Sequence, residues 1–447
     1  HLTSLPHPPP SMSQIVVVGG GPIGASLALR LSRSFTVSLL DAAPRPSPTP
    51  PLPDIRTFAI TPSSAAFLEA LGVWRPVVDA AAEGVLRSTP FVDMQVWDSV
   101  GTACLRFGGG GEALGTIVEH GVMQEALAEA LDASPVTTMY GTKLGSMALP
   151  AEDGGGVVLT TTDGDTIDTQ LVVGADGGNS AVRRLAGMGT WGWAYDSKAV
   201  VATVETNEPH NTAWQRFLPD GPVAMLPLWG RHSSIIWSTT PEHAAALQAM
   251  EPAEFVDALN TALNAPSARA SPDHVSSLPP LLRPLAAVTE SATTVLSSLT
   301  RRHAPYRIPP HVEGVVGGRA SFPLALAHVN SYVKPGLALA GDAAHTTHPL
   351  AGQGMNLGFA DAACLADTLE RDVAAGGTLG SITALQQYEA ERRLENIAMI
   401  NGLDVIKRVF ASGDESVLGL LRDVGVSAIN AADPVKDVIM RFATGRR

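Results

Sequence analysis

The chain has 447 residues and a formal net charge of −13, with 45% hydrophobic and 16% charged residues. The acidic balance excludes a nucleic-acid scaffold built on a general basic surface, and the hydrophobic content excludes a disordered chain. At about 150 residues per domain, the length predicts two or three domains.

The cysteines and the N-terminus narrow the class of protein further. Cys104 and Cys364 stand far apart and in no metal-ligand spacing, so we expect neither a disulfide framework nor a zinc site. No apolar run approaches the ~20 residues of a membrane-spanning helix. The chain begins at His1 rather than at a methionine, and we expect it to be a trimmed fragment from which the type of any targeting peptide cannot be read.

The first predicted elements form a βαβ unit around a glycine-rich turn. Residues 15–18 are a buried strand, the residues after GGGPIG have helical periodicity, and a second strand ends at Asp41. Gly19, Gly21 and Gly24 allow a tight turn and a close approach of backbone N–H groups to a pyrophosphate at the positive end of the helix. Asp41 follows Gly21 by 20 residues and can accept hydrogen bonds from a ribose. This context favours dinucleotide binding over a purely structural glycine turn.

The next segments alternate between loops and short helices. A run of prolines predicts an extended loop over residues 42–54, which we interpret as a surface insertion rather than a partner-docking strip. Capping residues and apolar spacing predict helices at 63–71 and 122–131. The glycines at 108–111 precede no amphipathic helix and predict a flexible loop.

The middle of the chain reads as sheet. The segment VVLTTTDGDTIDTQLVVG predicts a hairpin around Asp163-Gly164, and residues 198–239 contain several strands separated by turn residues. From about 264 to 318 the sequence is irregular, and helical patterns then dominate to the end. We expect an α/β fold in which a mixed-sheet domain interrupts a discontinuous nucleotide-binding domain. The predicted boundaries are 12–90, 117–190 and 330–375 for the nucleotide-binding domain, 91–116 and 191–329 for the sheet domain with an irregular insertion at 265–318, and 376–447 for a C-terminal helical region.

Two further motifs follow predicted strands. The segment VVGADGGNSAVRR presents Asp176, which can serve a ligand or only form an Asx turn that caps a short helix. In LALAGDAAH a strand ends at Gly341 and places Asp342 where it can bind ribose or ribityl hydroxyls. Residues 352–356 then open a long helix whose free N–H groups favour an anion.

In this order the three motifs resemble the single-component flavoprotein aromatic hydroxylases, with GDAAH and HPLAGQGMNLGFADA as the most specific text. The segments DIRTFAITPSSAAFLEALGVW, WQRFLPDGPVAMLPL and WSTTPEH are similar to the ubiquinone-biosynthesis hydroxylases of that class. GVSAINAADPVKDVIMRFATG is similar to their eukaryotic mitochondrial branch, which hydroxylates C5 of a polyprenylated phenol ring. The matching text runs from about residue 14 to residue 445. The resemblance implies a Rossmann-like FAD-binding domain of the para-hydroxybenzoate hydroxylase type, with an inserted substrate-binding sheet and C-terminal helices.

The resemblance also implies which residues contact FAD. The family often has Glu where Asp41 stands, and either carboxylate serves. The implied contacts are Gly19, Gly21 and Gly24 at the pyrophosphate, Asp41 at the adenosine ribose, Arg56 and Gln124 near the phosphate and ribityl region, Asp176 behind the flavin, Gly341 and Asp342 at the ribityl chain, and Pro349, Gly352, Gly354, Met355 and Asn356 beside the isoalloxazine.

The chemistry and partners follow from the same resemblance. It implies a flavin C4a-hydroperoxide that transfers oxygen to the ring, so that no catalytic triad is needed. The implied partners are a polyprenylated phenol, O2, a ferredoxin with its reductase as electron source, other ubiquinone-biosynthesis proteins and a membrane surface, with no nucleic acid. The implied location is the matrix face of the mitochondrial inner membrane.

Several side chains keep two interpretations. His345 and His348 are candidate acid–base groups or structural donors. Arg183 and Arg184 can receive an electron donor or a phosphate, or can form a solvated helix face. Four tryptophans can line an aromatic site or pack in the core. They are Trp97, Trp214, Trp229 and Trp237.

Two regions have a possible relation to the apolar substrate tail. Helical segments near 405–410, 417–421 and 435–442 have apolar faces that can contact a bilayer, form an oligomer or pack in the core. Residues 265–318 can form a lid over an access channel, or a simple insertion.

We therefore expect an FAD-dependent monooxygenase that hydroxylates C5 of a polyprenylated phenol in ubiquinone biosynthesis. The first alternative is a related flavoprotein that hydroxylates another ring position or reduces an isoprenoid. The second is a non-catalytic scaffold of the biosynthetic complex with a vestigial flavin site. The three intact motifs argue against the scaffold.

Overall fold

The computed structural model describes residues 14–82, 85–99, 104–108, 110–265, 307–347 and 352–411. Its strands, in chain order, are β1 (Ile15–Val18), β2 (Val37–Asp41), β3 (Thr57–Ile60), β4 (Ala81–Ala82), β5 (Val85–Leu86), β6 (Thr89–Phe91), β7 (Asp93–Asp98), β8 (Cys104–Gly108), β9 (Gly115–Glu119), β10 (Thr137–Tyr140), β11 (Leu144–Ala148), β12 (Val157–Thr161), β13 (Thr166–Thr169), β14 (Leu171–Gly174), β15 (Thr190–Thr206), β16 (Thr212–Leu218), β17 (Gly221–Pro227), β18 (His232–Thr239), β19 (Val312–Val329), β20 (Val333–Lys334), β21 (Leu337–Leu339) and β22 (His345–Thr346). Its helices are α1 (Pro22–Leu31), α2 (Pro62–Ala70), α3 (Trp74–Asp79), α4 (His120–Asp132), α5 (Ala181–Leu185), α6 (Pro241–Ala249), α7 (Pro252–Asn264), α8 (Gln353–Ala374) and α9 (Ile382–Ala411).

A mainly parallel sheet organises the first core, with the strand order β10-β2-β1-β14-β21-β20. All of β1 is buried, because this central strand is covered on both faces. Helix α1 connects β1 to its parallel neighbour β2 and packs against α8 and α4. The predicted βαβ unit is therefore confirmed, and its glycine-rich turn lies at the carboxyl end of the sheet, where α/β folds bind ligands.

A mixed, mainly antiparallel sheet organises the second core, with the strand order β22-β19-β15-β18-β17-β16-β7-β8. The long strands β15 and β19 pair from Thr190 opposite Val329 to Thr206 opposite Val312. One face of this sheet packs with α6 and α7 around Trp97, Trp214, Trp237, Phe255 and Leu259. The prediction of a strand-rich block over 198–239 is confirmed.

Local chemistry explains several element ends. Helix α2 begins after Thr61, whose Oγ1 accepts a hydrogen bond from Ser64 N at 3.4 Å, and Pro62 occupies its first turn. Gly72 follows this helix with a φ of +78°, a conformation that favours glycine. The proline-rich residues 42–54 form neither helix nor strand, as predicted.

The structure corrects several boundaries. Part of the segment predicted as irregular, 265–318, is sheet, because β19 begins at Val312, while residues 266–306 lie outside the described residues. The hairpin around Asp163-Gly164 is formed by β12 and β13 alone, and LVVG joins the parallel sheet as β14. The strand before Asp342 ends at Leu339 rather than at Gly341, and residues 341–343 form a 3-10 turn.

The division into domains stays a prediction. Strand β22 lies in the range predicted for the nucleotide-binding domain, yet it pairs with β19 of the antiparallel sheet. Helix α9 lies within the predicted C-terminal helical region, whose segments at 417–421 and 435–442 lie outside the described residues. None of the described helices is both long and apolar enough to span a membrane.

Candidate active site

The first glycine turn packs two backbone segments against each other. Gly19 has a φ of +109°, and a Cβ atom there would lie 2.4 Å from the Ala175 carbonyl oxygen. A Cβ atom at Gly24 would lie 1.9 Å from the Gly19 carbonyl oxygen, so α1 can approach the turn only with glycine at that position. At Gly21 no atom lies within 4 Å of such a Cβ, and no side chain caps α1. The turn therefore presents open space and the uncapped, positive end of a helix.

Asp41 is held firmly at the end of β2. Its Oδ2 accepts a hydrogen bond from Gly20 N at 2.5 Å, and its Oδ1 accepts one from Ala43 N at 2.7 Å. A carboxylate has about four lone-pair sites. Asp41 therefore keeps the capacity to accept hydrogen bonds from ligand hydroxyls.

Asp176 caps a short helix, as one of the two interpretations of its motif predicts, and its role toward a ligand stays a prediction. Its Oδ2 accepts hydrogen bonds from Ala181 N at 2.6 Å and Val182 N at 3.1 Å, which caps α5. Its Oδ1 is buried and has no hydrogen-bond partner among the described residues. A buried acceptor without a partner is costly, so this oxygen is suited to a ligand donor.

The segment after β21 turns its two motif residues in different directions. Gly341, with a φ of +61°, donates its N–H inward to Asp361 Oδ2 at 3.0 Å. Asp342 is exposed. The surrounding protein desolvates this carboxyl group and raises its pKa above the usual range, while His345 opposes that shift.

Helix α8 begins beside the same segment. Its N-cap residue Gly352 has a left-handed φ of +62°, and no side chain caps the helix. Asn356 accepts a hydrogen bond from Thr61 N at 3.0 Å and donates one to the Ala59 carbonyl oxygen at 2.8 Å. Asn356 thus ties α8 to β3 and to the start of α2.

All of these turns border one cavity of about 1100 Å³. Small-molecule sites commonly measure ~300–1,000 Å³, so a large ligand is accommodated. Of the candidate residues, those that line the cavity are Gly19, Gly21, Asp41, Arg56, Asp176, Asp342, Gly352, Gly354 and Met355. The described candidates outside its lining are Gly24, Gln124, Gly341 and Asn356. Pro349 lies outside the described residues.

Sequence reasoning missed the apolar end of the cavity. Val201 lies opposite Ile236 on one neighbouring strand and opposite Ala320 on the other, and all three line the cavity. Phe322 lies two residues along β19 from Ala320, on the same face of the sheet, and also lines it. The strand segment KAVVATVET signalled a sheet, but the pairing register that selects these side chains depends on a strand more than a hundred residues away.

Comparisons with known proteins decide the family. A model described as the FAD binding domain matches residues 12–281 and 292–401. The mitochondrial ubiquinone biosynthesis monooxygenase COQ6 of Xenopus tropicalis is 38% identical, over 97% of this chain and 94% of that protein. The 3-demethoxyubiquinol 3-hydroxylase of Escherichia coli is 33% identical, over 97% of this chain and 98% of that protein. The chain belongs to the FAD-dependent ubiquinone-biosynthesis monooxygenases.

Solved structures confirm the fold of this monooxygenase. The p-nitrophenol 4-monooxygenase PnpA of Pseudomonas putida covers 98% of the chain with a TM-score of 0.68 at 18% identity, and 99% of that structure is matched. PqsL of Pseudomonas aeruginosa covers 93% of the chain with a TM-score of 0.67 at 21% identity, again with 99% of that structure matched. The predicted fold class is therefore confirmed.

The residues along the cavity fit the cofactor FAD. Asp176 offers a buried oxygen without a partner, and Gly21 leaves space beside the helix end. Arg56 and Lys143 line the same cavity and supply positive charge suited to a pyrophosphate. The assignment of individual residues to parts of FAD stays a prediction.

His345 belongs to a buried polar network instead of the cavity wall. Its Nε2 lies 2.6 Å from Asp361 Oδ2, and both side chains are fully buried. Asp361 also accepts hydrogen bonds from Arg392 Nε at 2.8 Å and Asn396 Nδ2 at 3.1 Å. This geometry favours the structural interpretation of His345, and the acid–base role finds no support. His348 lies outside the described residues.

The four tryptophans and the two arginines, Arg183 and Arg184, also had two interpretations each. The four tryptophans are buried at 3–9% exposure, and none of them is among the described residues that line the cavity, so they pack in the core. Arg183 donates to the carbonyl oxygens of Ala343 at 2.9 Å and Gly178 at 2.7 Å, which is a structural role. Arg184 lines the cavity.

Proposed function

We propose that this monooxygenase hydroxylates C5 of a polyprenylated phenol ring in ubiquinone biosynthesis. The cavity carries the proposal, because it runs from the glycine turn at Gly19–Gly21 to the start of α8 and then to an apolar patch of the antiparallel sheet. A cofactor that fills the polar part leaves the apolar part for an aromatic ring. The names of the COQ6 relatives support the pathway and the mitochondrial location.

In this proposal FAD, when bound, supplies the activation of O2 and the oxygen transfer. The chain positions the reactants. Asp41, Asp176 and Asp342 accept hydrogen bonds from hydroxyl groups. The positive end of α8 at Gly352 stabilises negative charge by roughly 0.3–2 kcal/mol. No histidine is among the described residues that line the cavity.

The apolar side chains at Val201, Ile236 and Ala320 form the wall for the aromatic ring in this proposal. They exclude water from the reacting atoms, which favours oxygen transfer to the substrate over loss to solvent. Ala320 is small, and its replacement by Leu would narrow the space above the sheet. We expect Ala320→Leu to raise KM for the phenol more than it alters FAD affinity.

Lipid analysis tests the ring position. Cells that lack the gene should accumulate a polyprenylated intermediate without the C5 oxygen, as seen by mass spectrometry. Return of the wild-type gene should restore ubiquinone, and an Asp342→Ala gene should restore less. Normal ubiquinone in the deleted cells would contradict the proposal, and an intermediate that lacks a different ring oxygen would move the chemistry to another carbon.

The electron source has its own test. We propose a ferredoxin with its reductase, as the resemblance to the mitochondrial branch implies, and the sequence has no second strand-bound GxGxxG motif for a separate NAD(P)H domain. Under anaerobic conditions, reduced ferredoxin should bleach the flavin absorbance of the purified protein, whereas NADPH alone should not. Rapid bleaching by NADPH alone would contradict this assignment.

We also propose that the protein works at the matrix face of the inner membrane, with other proteins of the pathway. Trp191, Trp193 and Phe322 are 37%, 43% and 42% exposed, and such large apolar side chains are suited to contact with a membrane surface. Alkaline carbonate should release the protein from mitochondrial membranes, and protease should reach it only after the inner membrane is opened. Digestion in intact mitoplasts would contradict the matrix location.

A further inference from the structure

A buried ion pair lies next to the cavity, between its wall and the proline-rich loop. Arg87 and Glu119 are 4% and 0% exposed. Arg87 donates two hydrogen bonds to the Glu119 carboxylate, from Nε at 2.9 Å and from Nη2 at 2.5 Å. The geometry is bidentate, which is the strongest arrangement of these two groups.

Both side chains also hold the backbone of the proline-rich loop. Arg87 donates to the carbonyl oxygens of Pro50 at 2.5 Å and Leu52 at 3.0 Å. Glu119 Oε2 accepts a hydrogen bond from Asp54 N at 2.6 Å. This loop forms no ladder or helix, and the ion pair constrains its backbone from outside together with Glu125, whose Oε2 accepts hydrogen bonds from Thr49 N at 2.9 Å and Thr49 Oγ1 at 2.6 Å.

The held segment leads directly into the wall of the cavity. Ile55, Arg56, Thr57 and Phe58 follow Asp54 and all line the cavity. Thr57 lies opposite Glu119 in the β3–β9 pairing, so the carboxylate sits at the base of this wall. Thr57 and Phe58 are paired with β9, so a shift of the loop would displace Ile55 and Arg56, which lie between the loop and β3.

The same carboxylate reaches the antiparallel sheet. Trp229, which follows β17, donates its Nε1–H to Glu119 Oε1 at 2.7 Å, and the Arg87 guanidinium lies 5.9 Å from the Trp229 ring centre. Glu119 thus connects the loop beside the FAD end of the cavity to the sheet that forms its other end. A buried ion pair is tolerated only when its hydrogen-bonding groups are satisfied, and this pair meets that condition through three separate segments.

We propose that Arg87 and Glu119 are positioning residues that hold Ile55 and Arg56, between the loop and β3, in the conformation that binds FAD. The proposal rests on the placement of FAD along the cavity proposed above. Loosening the pair should therefore weaken FAD binding beyond any general loss of stability, and the loss should act through Arg56.

The test measures FAD dissociation constants and unfolding midpoints of the FAD-free protein for a set of variants. Arg87→Lys keeps the charge but cannot make the bidentate pair and both carbonyl contacts, so we expect the Kd for FAD to rise about tenfold, which is about 1.4 kcal/mol. Trp229→Phe removes one hydrogen bond to Glu119 and leaves the ion pair in place, so a smaller rise of roughly threefold is expected. This milder variant keeps the test decisive if Arg87→Lys fails to fold.

Arg216→Lys is the matched control. Arg216 is also buried and donates to two carbonyl oxygens, those of Ala262 at 3.0 Å and Ala265 at 2.6 Å, but it lies in the second core and does not line the cavity. It should lower the unfolding midpoint and leave the Kd for FAD within about twofold of wild type. Equal rises of Kd in Arg216→Lys and Arg87→Lys would reduce the effect to general stability and overturn the proposal.

A double-mutant cycle separates this proposal from the placement of FAD. Arg56→Ala should raise the Kd, and Arg87→Lys should add little in that background, because its effect passes through Arg56. If Arg56→Ala weakens FAD binding and Arg87→Lys does not, the positioning role is wrong while the placement of FAD stands. If Arg56→Ala itself leaves the Kd unchanged, the placement of this wall against FAD is wrong and the positioning role falls with it.

Discussion

Asp342 lies in the 3-10 turn after β21 and Asp361 lies in the following helix α8, but the two carboxylates have different surroundings. Asp361 is fully buried and accepts hydrogen bonds from His345, Arg392, Asn396 and the Gly341 N–H. Asp342 is exposed and lines the cavity. The buried carboxylate is saturated by protein donors, whereas the carboxylate that lines the cavity keeps acceptor capacity for a ligand.

The pKa values of the two groups reflect this difference. The charges and hydrogen bonds of His345 and Arg392 outweigh burial and hold the pKa of Asp361 well below its usual range. Desolvation by the surrounding protein, without such donors, raises the pKa of the Asp342 carboxyl group.

Asp361→Asn should cause the largest loss of stability. The substitution leaves the buried Arg392 guanidinium with the partly exposed Glu395 as its remaining charged partner, and removal of one member of a buried pair typically costs about 3–5 kcal/mol. Urea unfolding of the FAD-free protein measures this loss. Asp367→Asn on the same helix removes an exposed contact to Arg30 and should cost less than about 1 kcal/mol. Similar losses for the two variants would show that the Asp361 network does not carry the fold.

Asp342→Ala should weaken FAD binding and leave the stability of the protein nearly unchanged. It removes an exposed group that lines the cavity and is not part of the core, so the unfolding free energy should change by less than about 1 kcal/mol. The Kd for FAD should rise roughly 10- to 150-fold, as expected for the loss of a hydrogen bond to a charged group. Flavin fluorescence titration measures the change. Retained affinity with normal turnover would show that Asp342 is not part of the cofactor site.

Gly21→Ala should weaken FAD binding selectively, and by less than Asp342→Ala does. Its backbone is extended at a φ of −64°, and no atom lies within 4 Å of the added methyl group, so the FAD-free protein should lose only about 1 kcal/mol, as an alanine N-cap does. The methyl group faces the open side of the turn and should raise the Kd for FAD severalfold. Gly24→Ala, which meets the Gly19 carbonyl oxygen, should instead destabilise the protein itself. An equal effect of both variants on stability would contradict the assignment of Gly21 to the cavity.

The pH dependence of stability should have opposite signs at the two aspartates. Because the folded-state pKa of Asp361 is lowered, its contribution is present above the unfolded pKa of about 4 and is lost as the pH falls below it. Because the folded-state pKa of Asp342 is raised, stability is lost as the pH rises from about 4 through the folded value. The measurement is the unfolding midpoint of each variant from pH 3 to pH 7. Asp361→Asn should remove the loss of stability at low pH, and Asp342→Asn should remove the loss of stability as the pH rises. The same change in the pH dependence of stability in both variants would contradict the opposite roles of the two aspartates.

Local sequence rules predicted the parts of the molecule that depend on local chemistry. The turn at Gly19–Gly24, the Asp41 that ends β2 and the start of α8 at Gly352 follow from glycine conformation, strand ends and helix caps, and all three lie where the motifs indicated. The apolar wall at Val201, Ile236 and Ala320 was not predictable in this way. It depends on the register of β15 with β18 and β19, which only the folded sheet defines.

The buried networks escaped prediction for a related reason. His345 stands in a motif that suggests catalytic chemistry, but its partner Asp361 lies in α8. Arg392, which also pairs with Asp361, lies in α9. Arg87 and Glu119 carry no motif at all, and they meet because β9 pairs with both β3 and β6. Charge alone does not reveal burial, so residues of this kind are found only once the pairing is known.

An experimental structure of the FAD complex tests most directly whether both glycine turns bind one FAD molecule. We expect FAD density that runs through the cavity described above, from Gly19 and Asp41 past Asp342 to Gly352 and Met355. An FAD molecule bound elsewhere, or one that reaches only one of the two glycine turns, would contradict it.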